Sequence, residues 1–316
     1  MIGTIYFGDN LEVLRHLPSE SVELIYIDPP FNTGKVQQRT QLKTHRSDKG
    51  DRTGFQGRRY ESIVVGRRRF SDLFDDYLAF LEPRLVEARR VLAPDGSLYF
   101  HIDYHEVHYC KVLLDAIFGR DAFLNEIIWA YDYGGRPKNR WPPKHDNILW
   151  YAKDPARYVF NTAEIERIAY MAPGLVGPEK AARGKLPTDT WWHTIVPTGG
   201  AEKTGYPTQK PLGILRRIVQ ASSRRGALVL DFFAGSGTTG AAAMELGRRF
   251  ILVDHSAEAI EVMARRFAGV AGIEWIGFDP DTRGTGRRRR AAVVPTTAAP
   301  VRRKQPTTVH KRSNRS

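Results

Sequence analysis

The sequence predicts an α/β fold in which short buried strands alternate with amphipathic helices. Two observations carry that prediction. Residues 24–27 and 227–232 are short apolar runs with branched residues, as strands covered on both faces require. Each run carries an aspartate at its end, Asp28 and Asp231, and then residues that stop a strand: Pro29-Pro30 in the first, Gly235-Ser236-Gly237 in the second. At 316 residues and 41% hydrophobic, the chain suits one large domain or one domain carrying an inserted module.

The remaining elements follow in order. Residues 4–9 read as a strand ending in Gly8-Asp9-Asn10. Leu11, Val13, Leu14 and Leu17 then recur at helical spacing until Pro18 stops them. Residues 33–70 are poor in apolar side chains and show no clear period, so they are expected to form a mobile basic loop, ordered with ligand. Phe74, Tyr77, Leu78, Leu81, Leu85, Ala88 and Leu92 mark an amphipathic helix, and Pro94-Asp95-Gly96 turns the chain. A strand at 97–102 and a helix at 104–118, closed by Gly119, come next. Strands at 126–131 and 147–151 flank a basic, aromatic, proline-rich connection at 134–144.

Residues 155–204 lack long periodic helices and are expected as an inserted recognition module. Trp191 and Trp192 suit either base stacking or packing, and His193 has no metal-ligand partners at suitable spacing. Thr208-Gln209-Lys210-Pro211 opens a helix at 212–222. After the strand and glycine turn come a helix at 239–246, a strand at 250–253 ending at Asp254, and a helix through Phe267.

The net charge of +13 is uneven. Residues 283–316 carry +11, with no acidic side chain, and are expected to be a disordered basic tail; residues 33–70 carry +8. The rest of the chain is acidic on balance. This concentration points to a polyanion partner. The single cysteine, Cys110, rules out an intrachain disulfide and reads as a small buried hydrophobe. No apolar run approaches a membrane span and the N-terminus has no signal-peptide pattern, so a cytoplasmic, membrane-free protein is expected.

Asp28 sits at the carboxyl end of a strand, where open α/β sheets bind ligands. The two prolines fix the Asp28 carboxylate, the Pro29 carbonyl and the Phe31 ring as one stiff unit. Two acceptors and an aromatic plate suit an aromatic amine, although a turn with a buried phenylalanine has the same sequence. The second centre is a strand, Gly-x-Gly and a helix, a turn through which the backbone approaches a ligand closely. It lacks the Gly-Lys-Ser/Thr ending of a phosphate loop. Asp254, closing the next strand, suits a ribose diol and favours an adenosine-containing ligand. Gly240, three residues beyond Gly237, leaves a nicotinamide dinucleotide open at this turn.

Asp28-Pro29-Pro30-Phe31, a variable module, Thr208-Gln209-Lys210-Pro211 and Asp231-Phe232-Phe233-Ala234-Gly235-Ser236-Gly237-Thr238, in this order, resemble the β-class amino DNA methyltransferases over roughly residues 1–270. The resemblance implies a Rossmann-like seven-stranded sheet, circularly permuted so that the catalytic half precedes the half that binds S-adenosyl-L-methionine. It divides the chain into a catalytic half (1–131), a hairpin and target-recognition region (132–204), a donor-binding half (205–282) and the tail (283–316). Asp28 then resembles the catalytic acceptor of the target amine, with the Pro29 carbonyl as second acceptor. Pro30 resembles the residue that fixes the turn, and Phe31 the aromatic that stacks on the base. Asp231, Phe233, Gly235, Ser236, Gly237, Thr238 and Thr239 resemble the donor-binding turn, and Asp254 the ribose ligand. Thr208, Gln209 and Lys210 resemble the segment facing the donor's methionine moiety, and Asp9 is placed toward its adenine. No metal is implied.

The activity implied is methyl transfer to the N6 of a flipped-out adenine in duplex DNA, since Asp leads the motif where the cytosine-N4 members usually carry Ser. Cytosine N4, an RNA or protein-glutamine acceptor, a non-catalytic DNA-binding protein and a nicotinamide oxidoreductase are the alternatives. The last leaves Asp28-Pro29-Pro30-Phe31 without a role. The resemblance also admits a homodimer and a cognate restriction endonuclease as partners.

Overall fold

A computed structural model describes residues 1–32, 35–46, 52–53, 59–72, 76–197 and 199–280. Strand β1 (Gly3–Phe7) leads through helix α1 (Asn10–His16) to β2 (Val22–Ile27). Three antiparallel strands follow, β3 (Lys35–Arg46), β4 (Arg52–Thr53) and β5 (Arg59–Asp72). Then come α2 (Tyr77–Val91), β6 (Leu92–Ile102), α3 (Val107–Phe118), β7 (Phe123–Ala130) and β8 (His145–Ala152). A stretch holding only short elements, α4 (Pro178–Arg183) and β9 (Thr190–Trp192), leads to α5 (Leu212–Ser222). The chain closes with β10 (Leu228–Asp231), α6 (Thr238–Glu245), β11 (Arg249–Asp254), α7 (Ala257–Arg266) and β12 (Ile273–Ile276).

Nine strands form one sheet in the order β12-β1-β11-β10-β2-β6-β8-β7-β9. From β12 to β6 every pairing is parallel; β8 runs antiparallel to β6 and β7. The seven inner strands are the expected sheet, with β7 and β8 as the terminal hairpin and β1 beside the strand that ends at Asp254. The expected total of seven is corrected to nine. The added edge strands have four and three residues, too few for a period to show in the sequence.

The central strands alternate strictly between two cores. Ile25, Ile27, Leu98, Phe100, Leu230 and Val253 face α1, α2 and α3 through Leu14, Leu81, Leu85 and Leu114. Leu24, Tyr26, Tyr99, Val229 and Leu252 face α5, α6 and α7 through Ile214, Ile218, Ala243, Ile260 and Met263. Burial on both faces explains the unbroken apolar runs. Cys110 lies buried in the first core, and burial pushes its thiol up to about 12.

Two expectations meet a different outcome. The stretch at 33–70, expected as an irregular loop, contains β3 and β5, which pair from Lys35↔Asp72 to Arg46↔Tyr60. The pairing is made by the backbone, so a run of arginines, glutamines and threonines adopts it without an apolar signal. The strand expected to start at Ser97 begins at Leu92, because β6 bulges there: two residues of β2 span five of β6, taking in Pro94-Asp95-Gly96. The basic tail at 283–316 lies outside the described residues. Among the described residues no helix is long and apolar enough to cross a membrane.

The sheet positions the site through one register. Val229↔Leu24 and Leu230↔Ile25 make β10 and β2 neighbours, so Asp231 and the Asp28 turn leave adjacent strands at the same edge. Strand order reverses between these two strands, the switch point at which such sheets open a crevice. Phe7↔Asp254 brings Asp254 to the same edge.

Candidate active site

The turn after β2 is held from below and from the side. Tyr77 donates its hydroxyl to the Pro30 carbonyl at 2.6 Å, anchoring the second proline to α2. Asn32, in the left-handed region at φ 51°, ends the turn and donates to Glu106 at 2.9 Å. Lys210, just before α5, places its ammonium 2.5 Å from Asp28 Oδ2 and 4.9 Å from the Phe31 ring centroid. The pair is largely buried, at 10% and 15% side-chain exposure. Asp28 Oδ1 is buried and, among the described residues, has no hydrogen-bond partner. A buried carboxylate oxygen without a donor is costly, so this atom stands ready for a ligand N–H.

Behind the turn lies a buried polar chain that sequence reasoning missed. Tyr26 and His101 Nδ1 are 2.7 Å apart, and His101 Nε2 lies 3.1 Å from Asp146 Oδ2. Burial, reinforced by Asp28, raises the Tyr26 phenol far above its ordinary range, so it is the donor. His101 Nδ1 then accepts, and its Nε2–H donates to Asp146. Tyr131 adds a second bond to Asp146 at 3.0 Å. Burial works to raise the Asp146 carboxyl, but His101, Lys210 and Tyr131 together hold it below its ordinary value. Phe31 lies against this chain, its ring centroid 6.1 Å from that of His101. A partial signal was present in the strand pattern: His101 interrupts the apolar run Leu98–Ile102 of β6, whereas Asp146 lies in the polar start of β8, His145-Asp146-Asn147, and does not stand out.

The glycine turn is equally specified. Gly237 has φ +72°, and a Cβ there would lie 2.8 Å from Met263 Cγ. Gly235 has φ +50°, and its Cβ would lie 2.9 Å from the Tyr206 ring. Both positions therefore demand glycine. Asp231 Oδ1 accepts from the Phe233 amide at 3.0 Å and Oδ2 from the Thr239 hydroxyl at 2.6 Å. Asp254 Oδ2 accepts from the Gly235 amide and Oδ1 from the Ser256 amide, both at 2.8 Å. Ser236 and Thr238 hydroxyls meet at 2.9 Å, and Arg266 donates to the Ser236 carbonyl at 2.7 Å.

Burial dominates the electrostatics of the site. Burial pushes the Asp231 carboxyl up to about 7, with Asp28 and Asp254 adding to the rise against the bonds from Thr239 and Phe233. Burial likewise raises Asp254, against the amides of Ser256 and Gly235. Tyr206 is raised by burial and then by Asp254, Glu258 and Asp28, which places its hydroxyl among the carboxylates. A cationic ligand would relieve this crowding.

The predicted residues thus converge, with distinctions. Asp28, Pro29, Pro30, Phe31 and Lys210 form one cluster; Asp231, Phe233, Gly235, Ser236, Gly237, Thr238, Thr239 and Asp254 form the adjoining turn. Lys210 is found on Asp28, although its segment was expected to face the donor's methionine moiety. Gln209 is buried and staples its own loop, accepting from Thr204 and donating to the Glu202 carbonyl at 2.7 Å, while Thr208 is exposed. Asp9 caps α1 through the Leu11 and Glu12 amides and pairs with Arg84 at 3.2 Å, so both its oxygens are engaged. Trp191 is a packing residue, buried against β7, whereas Trp192 is 78% exposed. Among the described residues no group of side chains suits a metal ion.

Comparison with known proteins gives the family. The profile of the N6/N4 methyltransferases, described as DNA methylase, matches residues 22–265. The DNA adenine methyltransferase YhdJ of Escherichia coli K12 is 31% identical over 271 residues, 83% of this chain and 82% of that protein. The structure of TTHA0409 of Thermus thermophilus, a putative DNA modification methylase in complex with S-adenosyl-L-methionine, superposes with a TM-score of 0.54 at 22% identity, covering 87% of this chain and 98% of that one. The cytosine-N4-specific PvuII DNA methyltransferase gives a TM-score of 0.56 at 17% identity, over 86% and 88% of the two chains. With a family profile spanning most of the sequence and a relative this similar over most of both chains, the protein belongs to the N6/N4 amino DNA methyltransferases.

Proposed function

We propose that this methyltransferase acts on the exocyclic N6 of adenine, flipped out of duplex DNA into the cluster around Asp28. The observation that carries the reading is the division of labour within the Asp28 carboxylate. Oδ2 is fixed by Lys210, while the buried Oδ1 has no partner among the described residues. That atom suits one hydrogen of an aromatic amine, and the Pro29 carbonyl suits the other.

S-adenosyl-L-methionine fits the adjoining turn on three grounds. The two glycines leave no room for a Cβ, so the backbone itself can line the ligand. Asp254 ends the strand beside the turn, where a ribose diol is expected. The crowded carboxylates favour a ligand with sulfonium and ammonium charges. When bound, the donor supplies a methyl group activated by its positive sulfur.

The side chains of this protein do the rest. Phe31 stacks on the extruded ring and holds its plane. Asp28 Oδ1 and the Pro29 carbonyl take the two amino hydrogens, which turns the nitrogen lone pair out of conjugation and toward the methyl. Asp28 then takes up the proton that the amine must lose. Lys210 keeps the carboxylate in place, and the Tyr26–His101–Asp146 chain fixes the floor beneath Phe31. Alignment in a water-poor pocket accounts for most of the acceleration, about 7–11 kcal/mol in well-oriented systems.

Adenine is favoured over cytosine by the leading aspartate and by the adenine activity in the name of the relative at 31% identity. Incubation of unmethylated genomic DNA with labelled S-adenosylmethionine, followed by nucleoside analysis, tests this directly. Label in N6-methyladenine is the expected result. Label in N4-methylcytosine would overturn the choice of base, and label in neither would overturn the reaction.

A further inference from the structure

The connection between β7 and β8 is a built projection, exposed at every residue from 132 to 141. Its base is closed by the Tyr131 amide on the Lys144 carbonyl at 2.9 Å. Inside, Lys144 Nζ is gathered by the carbonyls of Tyr133, Gly134 and Gly135, at 2.5, 3.0 and 3.1 Å. Arg136 makes a two-pronged pair with Asp132, at 2.6 and 2.8 Å. Two of the four cations in the segment are thus spent on its internal architecture. Among the described residues Lys138 and Arg140 have no ion-pair partner. Trp141 follows at once, stiffened by Pro142-Pro143, and is 94% exposed.

Leaving an indole in water forfeits the burial that drives folding. Trp129, Trp150 and Trp191 are each at most 7% exposed; Trp192, at 78%, shares the exposure of Trp141 but follows Asp189 and Thr190 rather than cations. A bare aromatic plate between unpaired cations and prolines suits a partner that is both flat-faced and anionic. Nucleic acid has that chemistry: bases for the indole, phosphates for Lys138 and Arg140. The placement agrees. Tyr131, the residue directly after β7, and Asp146, near the start of β8, stand at the base of the projection and join His101 beneath Phe31. The projection therefore rises from the rim of the pocket that receives the target base.

We propose that Trp141 is the wedge that enters the duplex where the target base leaves, filling the gap in the stack while Lys138 and Arg140 hold the flanking phosphates. The proposal rests on the flipped-base reading above. Removing a base from the stack leaves a hole that favours its return, and an inserted apolar side chain opposes that return.

The test begins with wild-type enzyme on plasmid DNA, whose modified site is read by sequencing. No transfer by the wild type would overturn the reading of function, and the wedge with it. With the site in hand, two duplexes are compared. One is fully paired, and in the other the target base faces an abasic position, so that extrusion is already cheap. Trp141→Ala is expected to lower single-turnover transfer on the paired duplex by roughly 10- to 100-fold, the range of one base–aromatic stack. On the abasic duplex it is expected to stay within about threefold of wild type, and Trp141→Phe should be close to wild type on both. Donor affinity of each variant, measured by calorimetry, should match that of the wild type. Equal rates on the paired duplex, or an equal deficit on both duplexes, would overturn the wedge while leaving the methyltransferase reading intact.

Discussion

Replacing Asp28 by alanine separates what that carboxylate does for folding from what it does for chemistry. The change removes the partner of Lys210 at 2.5 Å, in a pair that is 10% and 15% exposed. Stranding one member of a buried ion pair costs about 3–5 kcal/mol. The lower end applies here, because Asp146 also acts on Lys210. About 3 kcal/mol corresponds to a fall in melting temperature of roughly 6–12 °C for a domain of this size. Methyl transfer should fall further, by roughly 10²- to 10⁴-fold, because the acceptor for the amine is gone. The double variant Asp28→Ala/Lys210→Met removes both charges. It should recover most of the lost melting temperature and none of the activity. Differential scanning calorimetry and single-turnover transfer to plasmid DNA read the two quantities separately. Activity that returned with stability in the double variant would refute the assignment of Asp28 to the reaction, since it would show that the single variant fails only by misfolding.

Three further outcomes follow from the geometry. Gly237→Ala forces a left-handed alanine against Met263, strain of about 1–3 kcal/mol, and should weaken S-adenosylmethionine binding roughly tenfold or more by calorimetry; an unchanged Kd would remove the turn from the donor site. Asp231 carries a folded-state pKa of about 7, above an unfolded carboxyl near about 4, so its contribution to stability is full at low pH and is lost as pH rises through 7. The melting temperature of Asp231→Asn should therefore change less than that of wild type between about pH 5 and 8, and parallel curves would contradict the shift. His101→Ala leaves Tyr26 and Asp146 without their shared partner and opens a cavity, costing about 3 kcal/mol or more in urea unfolding; a loss under about 1 kcal/mol would show that the buried chain is not a coupled unit.

The two turns were legible in the sequence because backbone chemistry writes them plainly: two prolines after Asp28, two glycines at left-handed φ after Asp231. Strands buried on both faces were legible for the same reason, as unbroken apolar runs. The Tyr26–His101–Asp146 chain was not, since its members lie 75 and 45 residues apart and meet only through sheet register. Lys210 was placed in the site but given another partner, because its position before α5 fixes where it starts and not what it reaches. The antiparallel strands at 35–46 and 59–72 were missed because polar side chains leave no period to read. Asp9 shows the converse: its position at a strand end looked functional, and helix capping accounts for it.

The pairing of β2 with β10 has a consequence for how the chain comes to be folded. These neighbours at the middle of the sheet are joined through Val229↔Leu24, about 200 residues apart along the polypeptide. During synthesis β2 leaves the ribosome long before the strand that covers its free edge exists. At 5–20 residues per second the wait is roughly 10–40 s. Throughout that interval an apolar strand lies open to pairing with any other exposed edge. The order of segments that sets the two turns side by side in the finished protein thus makes the nascent chain a natural client for chaperones, and truncation anywhere before residue 228 should yield aggregates rather than a smaller folded enzyme.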